Sequence, residues 1–318
     1  MSKYLILVLC IILTIPGNLC SLSKEKEKEV LIDFLWGDVL SLPQSKRPKI
    51  ALVLGGGGAR GLAHIGVLKV LEQESIPIDL VIGTSVGSIV GVLYCAGMSI
   101  KEIESLGENT GWNTLTNIST AALVKLLMAE SLLSNKKMER YLSKFLGDKR
   151  FEDLDIPFVC IATDVHTGEK IIFKEGDVLT AVRASSTIPG LFSPVEYRHR
   201  FLVDGGLVDN LPTDVAKMMG ADIIIAVPLE ADFSKYKLDN VLQILNQAIY
   251  IQGLVLSNEL SKSADVLIKP MIKDITTFEL WRSKEAIDSG EKAARNAIEN
   301  VKSIIINKTF DMTNKNKD

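Results

Sequence analysis

Apolar runs broken by glycine set the rhythm of the chain. IALVLGGGG (50–58) is a continuous, largely branched run that ends in glycines, the pattern of a buried strand passing into a turn. RGLAHIGVLKVLEQES (60–75) places apolar residues at helical spacing and closes on polar ones. IDLVIGT (78–84) predicts a second buried strand, followed by a helix from about Val86 to Ala96. Strand, helix, strand, helix with short connections predicts right-handed crossovers and a parallel sheet.

The pattern then changes period. Residues 100 to 147 read as helical, with KKMERYLSKFLG the clearest amphipathic piece. IPFVCIATDV (156–165) and EKIIFKEG (169–176) read as strands joined through His166-Thr167-Gly168. DVLTAVRASSTIPG (177–190) predicts a helix stopped by Pro189, and EYRHRF a charged alternating strand. FLVDGG (201–206) predicts a strand ending in an acid and two glycines. DIIIAVPL (222–229) and DVLIKP (265–270) predict later strands separated by a long helix, and ELWRSKEAIDSGEKAARNAIENVKSII a closing helix. These elements assemble into one three-layer α/β/α sandwich with a mainly parallel central sheet, spanning residues 49–306. Residues 307–318 read as a polar tail expected to fray.

The N-terminus departs from this rhythm. An apolar run from Tyr4 to about Pro16 follows a lysine, too short for a comfortable membrane span and suited to an export signal core. Residues 1–20 are therefore read as a signal peptide or N-terminal membrane anchor, and the protein as exported or membrane-associated (periplasmic, secreted or anchored). Cys20 after Gly17-Asn18-Leu19 gives a poor lipoprotein box. Residues 21–48 read as a charged linker with a helical lead-in.

Composition adds exclusions. With 47% hydrophobic residues, 24% charged residues and a net charge of −3, the chain lacks the basic excess of a nucleic-acid binder. Its three histidines (His64, His166 and His199) share no helical ligand spacing, so no metal is expected. Cys95 and Cys160 lie in apolar runs without CxxC spacing and read as small buried hydrophobes.

Two glycine-rich turns carry candidate chemistry. Gly83-Thr84-Ser85-Val86-Gly87 matches a nucleophile elbow, in which a sharp strand-to-helix turn presents a serine. GGGGARG (55–61) contains the spacing of a dinucleotide fingerprint, but the second strand ends in Gly83-Thr84-Ser85 rather than a ribose-binding acid. No lysine follows Gly61, so a phosphate loop fails as well. What remains is an anion cradle of bare backbone amides, or a plain tight turn. Arg60 either reinforces its field or caps the turn.

A serine nucleophile needs a base. No histidine follows His199, so the usual Ser, Asp, His order is poorly served, although Ser85, Asp164 and His199 form a minor alternative set. His64 reads as a core histidine. Asp204, reached through an apolar strand and followed by Gly205-Gly206, is the stronger candidate. Burial raises a carboxylate's pKa and improves it as a base.

The ordered set GGGGARG, GTSVG and DGG resembles the patatin-like phospholipases, especially bacterial members, over about residues 49 to 270. The resemblance implies lipid acyl hydrolase activity through a Ser85–Asp204 dyad, with no metal or cofactor. Carried over by motif, Ser85 is the nucleophile, Asp204 the proton acceptor, and Gly56, Gly57, Gly58 and Arg60 form the oxyanion hole. RASSTIPGLFSPV (183–195) resembles a segment beside the site. The implied partners are a phospholipid, lysophospholipid or other acyl ester and a membrane surface. An acyltransferase, a general esterase or a non-catalytic lipid-binding protein are the alternatives. Apolar segments between residues 99 and 133 read as core helix in preference to a lid.

Overall fold

The computed structural model describes residues 24–109, 136–230, 232, 241–272, 274–277 and 279–315. The N-terminal signal or anchor segment, Cys10, Cys20 and most of the candidate lid lie outside the described residues. Helix α1 (Lys24–Leu40) precedes strand β1 (Ile50–Leu54), helix α2 (Ala63–Gln73), strand β2 (Leu80–Thr84) and helix α3 (Val86–Cys95). Helices α4 (Ile100–Asn109) and α5 (Lys136–Leu146) follow, then the hairpin β3 (Phe158–Asp164) and β4 (Lys170–Phe173). Helix α6 (Val178–Ser185), strands β5 (Val195–Tyr197) and β6 (Arg200–Asp204), helix α7 (Thr213–Met218) and strand β7 (Ile223–Val227) come next. Helix α8 (Val241–Leu260), strand β8 (Val266–Leu267) and helix α9 (Ser283–Lys315) complete the order.

The sheet runs β5-β6-β3-β2-β1-β7-β8, with β4 also paired to β3. Strands β3, β2, β1, β7 and β8 are mutually parallel, while β4, β5 and β6 add antiparallel pairs. Every residue of β1, β2 and β7 is buried, which is why these segments read as unbroken apolar runs. Side chains alternate between two cores. Ile50, Leu52 and Leu54 face the helix-rich side with α2, α3, α6 and α9, whereas Ala51 and Val53 face Leu211, Val215 and Ala216 of the α7 side. The result is an α/β/α sandwich.

One feature of the sheet places the site. Strand β4 pairs with Cys160–Thr163 of β3, overlapping the residues used by both β2 (Phe158–Ile161) and β6 (Ala162–Asp164). A strand has two edges, so β2 and β6 must share the edge opposite β4. Because β2 runs parallel and β6 antiparallel to β3, their C-terminal ends meet head-on. Thr84 pairs with Ile161, and Asp204 pairs with the next residue, Ala162.

Several expectations shift. Residues 198 and 199 form the turn between β5 and β6 with φ of 50° and 63°, so His199 is not a strand residue. Helix α6 ends at Ser185, ahead of Pro189, and the Ser186 and Thr187 hydroxyls donate to the Val182 and Arg183 carbonyls at its close. The lead-in joins the domain: Ile32, Trp36 and Val39 of α1 are buried at helical spacing, and Trp36 donates to the Glu74 carbonyl at 3.2 Å. The tail expected to fray is helical through Lys315, since Val301, Ile305 and Thr309 continue a buried stripe.

Candidate active site

Ser85 stands at the end of β2 with φ 56° and ψ −126°, a strained conformation for a residue with a side chain, and heads the ten-residue helix α3. The turn closes only with glycine on both sides. A Cβ on Gly87 would lie 2.2 Å from the Leu54 carbonyl oxygen, and one on Gly83 would lie 2.5 Å from the Gly87 carbonyl oxygen. The Ser85 amide donates to Ser185 Oγ at 3.1 Å, and Thr84 Oγ1 donates to the Asp209 carbonyl at 3.0 Å. These bonds hold the elbow from α6 on one side and the turn after β6 on the other.

Ser85 Oγ donates to Asp204 Oδ2 at 2.5 Å, across 119 positions of sequence. Asp204 is fixed through its backbone, which donates to the Thr187 carbonyl at 2.8 Å and accepts from Thr163 Oγ1 at 2.9 Å. Its second oxygen, Oδ1, accepts from the Gly206 amide at 2.8 Å. Burial dominates its electrostatics and pushes the carboxyl up to about 6, against the smaller opposing effects of the Ser85 and Gly206 hydrogen bonds. A carboxylate poised there is half-ionised near pH 6, mostly ionised at neutrality, and holds a proton far better than an exposed aspartate.

The glycine loop leaves β1 beside the elbow, as parallel neighbours require. Its amides divide. Gly55 donates to the Val227 carbonyl and Gly56 to the Asn210 carbonyl, at 3.2 Å and 3.1 Å. Among the described residues no acceptor meets the Gly57 or Gly58 amide, and both residues line clefts that also contain Ser85. Gly56 is thus engaged within the fold, unlike its two successors. Arg60 is buried, donates to the Ile275 carbonyl at 3.0 Å, and packs 5.3 Å from the centre of the Tyr250 ring. The Ala59 amide donates to the Thr277 carbonyl at 2.9 Å, anchoring the same loop.

Two clefts meet at Ser85. One is lined by Gly57, Asp204, Gly206, Asn210, Ile249, Tyr250 and Gly253. The other is almost entirely apolar, with Val86, Ile89, Met138, Phe192 and Leu280 in its walls. Ile188, from the segment after α6, borders both. The histidines lie elsewhere. His64 is fully buried with Nε2 2.8 Å from the Gly55 carbonyl oxygen, and burial lowers its pKa to about 4. His166 packs on Phe201, and Asp164 is engaged by Arg200 at 3.0 Å. The alternative Ser85–Asp164–His199 set is not brought together. Among the described residues no group of three His, Cys, Asp or Glu side chains is placed to hold a metal ion.

The profile of the patatin-like phospholipases matches residues 52–217, more than half of the chain. The chain belongs to the patatin-like phospholipase family. Patatin-like phospholipase domain-containing protein 6 of Homo sapiens is 37% identical over 193 residues, covering 59% of this chain and 14% of that protein. Lysophospholipase nte1 of Aspergillus fumigatus is 36% identical over 178 residues, covering 56% of this chain and 12% of that protein. The patatin-like chain therefore aligns with a small part of these much longer relatives. Human GIVD cytosolic phospholipase A2 shares the fold at a TM-score of 0.51 and 11% identity, over 94% of this chain and 66% of that one.

Residues that sequence reasoning missed include Asn210, Tyr250 and Thr163, whereas Ser185 belongs to the 183–195 segment expected beside the site. The signal for Asn210 was present, since it lies just beyond the DGG motif, but its partners come from the glycine loop and from α8.

Proposed function

We propose that this chain is a serine lipid acyl hydrolase that cleaves fatty acyl esters of phospholipids or lysophospholipids. The observation that supports this reading most directly is the 2.5 Å hydrogen bond from Ser85 Oγ to the buried Asp204 carboxyl at the junction of two clefts. Asp204 takes the hydroxyl proton as Oγ attacks the ester carbonyl carbon. The oxyanion receives the Gly57 and Gly58 amides, at the positive end of α3. The protonated Asp204 gives its proton to the leaving alcohol as the carbon–oxygen bond breaks, which leaves an acyl-serine. Water, deprotonated by Asp204, attacks the acyl-serine and releases the fatty acid, restoring both residues. The apolar cleft takes the acyl chain and the cleft beside Asn210 and Tyr250 takes the alcohol side.

The lipid surface enters the same reading through α8. Its inner residues Ile249, Tyr250 and Gly253 line the cleft, while Ile244, Ala248, Ile251 and Val255 form an outward stripe at helical spacing. A water-facing helix face is normally polar, yet the only charged residue of α8 is Glu259. Such a face beside the cleft mouth suits contact with a bilayer that supplies the substrate. Among the described residues no helix is long and apolar enough to cross a membrane. The apolar run at residues 4–16 is the feature that points to export or membrane association.

The test is hydrolysis of a phospholipid, a lysophospholipid and a soluble short-chain ester by the full chain and by Ser85→Ala. The variant should lose at least about 10³-fold in kcat and all labelling by a fluorophosphonate probe. Full turnover by a folded Ser85→Ala protein would overturn the assignment. Water and added alcohol compared as acyl acceptors distinguish a hydrolase from an acyltransferase.

A further inference from the structure

We propose that Asn210 is the positioning residue of the oxyanion hole: it grips Gly56 at both ends and thereby sets the direction of the Gly57 amide. The inference rests on the acyl-hydrolase reading above and concerns a residue outside the Ser85–Asp204 pair.

Gly56 is held twice. Its amide donates to the Asn210 backbone carbonyl at 3.1 Å, and its carbonyl accepts from Asn210 Nδ2 at 3.3 Å. The same Nδ2 donates to Ser257 Oγ of α8 at 3.1 Å. An amide nitrogen carries two hydrogens, so both are spent inside the protein and none is left for substrate. Asn210 therefore acts through the loop.

The consequence follows from peptide geometry. The Gly56 carbonyl and the Gly57 amide are opposite ends of one planar trans unit, and holding one end fixes the other. Four successive glycines have no side chains to restrain that unit, and glycine backbones rotate freely over a wide range. Gly57 lines the Ser85 cleft, and its amide meets no acceptor among the described residues. A donor that must be aimed before the reaction, on the loosest stretch of the chain, needs an external hold. Asn210 supplies it from the turn that carries the base, and Ser257, itself buried, orients the Asn210 amide from α8. The oxyanion loop and the helix that walls the cleft are thus tied to one side chain.

The experiment compares the full chain with Asn210→Ala and Ser257→Ala on a soluble short-chain ester. Binding of a trifluoromethyl ketone transition-state analogue and of the product carboxylic acid is measured in parallel. Asn210→Ala should lower kcat by about 10- to 100-fold with KM changed by less than about twofold, a partial loss of one oxyanion donor. The analogue should weaken by the same factor while product affinity holds, a split that a merely structural role would not produce. Ser257→Ala should show the same signature at about two- to fivefold, and it decides the matter if Asn210→Ala does not fold. Unchanged kcat in a folded variant, or parallel losses of analogue and product binding, would overturn the proposal. Fluorophosphonate labelling of the unaltered chain separates the two levels. Absent labelling at Ser85 removes the acyl-hydrolase reading and this inference with it, whereas normal labelling with an unaffected Asn210→Ala protein removes the inference alone.

Discussion

Replacing Asp204, the proposed base, by asparagine keeps the shape of the side chain and removes its charge. An asparagine oxygen still accepts from the Gly206 amide and its nitrogen still meets Ser85, so the packing survives. The energetic change comes from burial. The carboxyl rises from its usual 3.8 to about 6, so the folded chain binds a proton that the unfolded chain releases. Stability from this group is fully present below pH 3.8 and is lost as pH rises to 6. A shift of about two units at roughly 1.4 kcal/mol each costs the native state about 3 kcal/mol above pH 7 and about 1.6 kcal/mol at pH 5. Asp204→Asn should therefore be inactive yet more stable than the parent at pH 8, with an advantage about 1.4 kcal/mol larger there than at pH 5. Urea unfolding of both proteins at the two pH values measures it. Asp209, which burial pushes up to about 7, is common to both chains and cancels in the difference. A variant less stable than the parent by the same amount at both pH values would refute the reasoning.

The same ionisation predicts the rate profile: kcat/KM on a soluble ester should rise through half its plateau near pH 6 and fall about tenfold between pH 7 and pH 5. A flat profile down to pH 5 would deny Asp204 the role of base. Gly87→Ala forces a methyl against the Leu54 carbonyl, where it would sit at 2.2 Å, and should cost about 2–4 kcal/mol of stability in a thermal melt. His199→Ala changes a turn residue away from Ser85 and should leave kcat and KM within about twofold of the parent.

The parts of the site that were legible in the sequence are those that local chemistry dictates. Gly83 and Gly87 flag a strained elbow because nothing larger fits, and Asp204 stands out as an acid at the end of an apolar strand. The parallel order of β1 and β2 follows from the helix between them. Direction was less accessible. Arg200–Asp204 runs against β3, which its apolar pattern does not announce, and the tight turn at Arg198 and His199 that pairs it with β5 adopts left-handed backbone without any glycine. The role of Asn210, just beyond the DGG motif, was hidden for a different reason: its partners, Gly56 and Ser257, lie far away in sequence on either side. The burial of α1 was hidden by its charges, since Lys24 to Glu29 mask the Ile32, Trp36 and Val39 stripe that follows.

The shared edge of β3 turns the spacing of Ser85 and Asp204 into a matter of counting residues. One step of slippage along that ladder moves a side chain by about 3.3 Å and turns it to the other face. Chain length between the two halves is then immaterial, whereas a single insertion within Phe158–Asp164 would separate them beyond proton reach. A loop graft at the exposed Lys174–Glu175 turn should therefore be accepted more readily than any indel inside that short ruler.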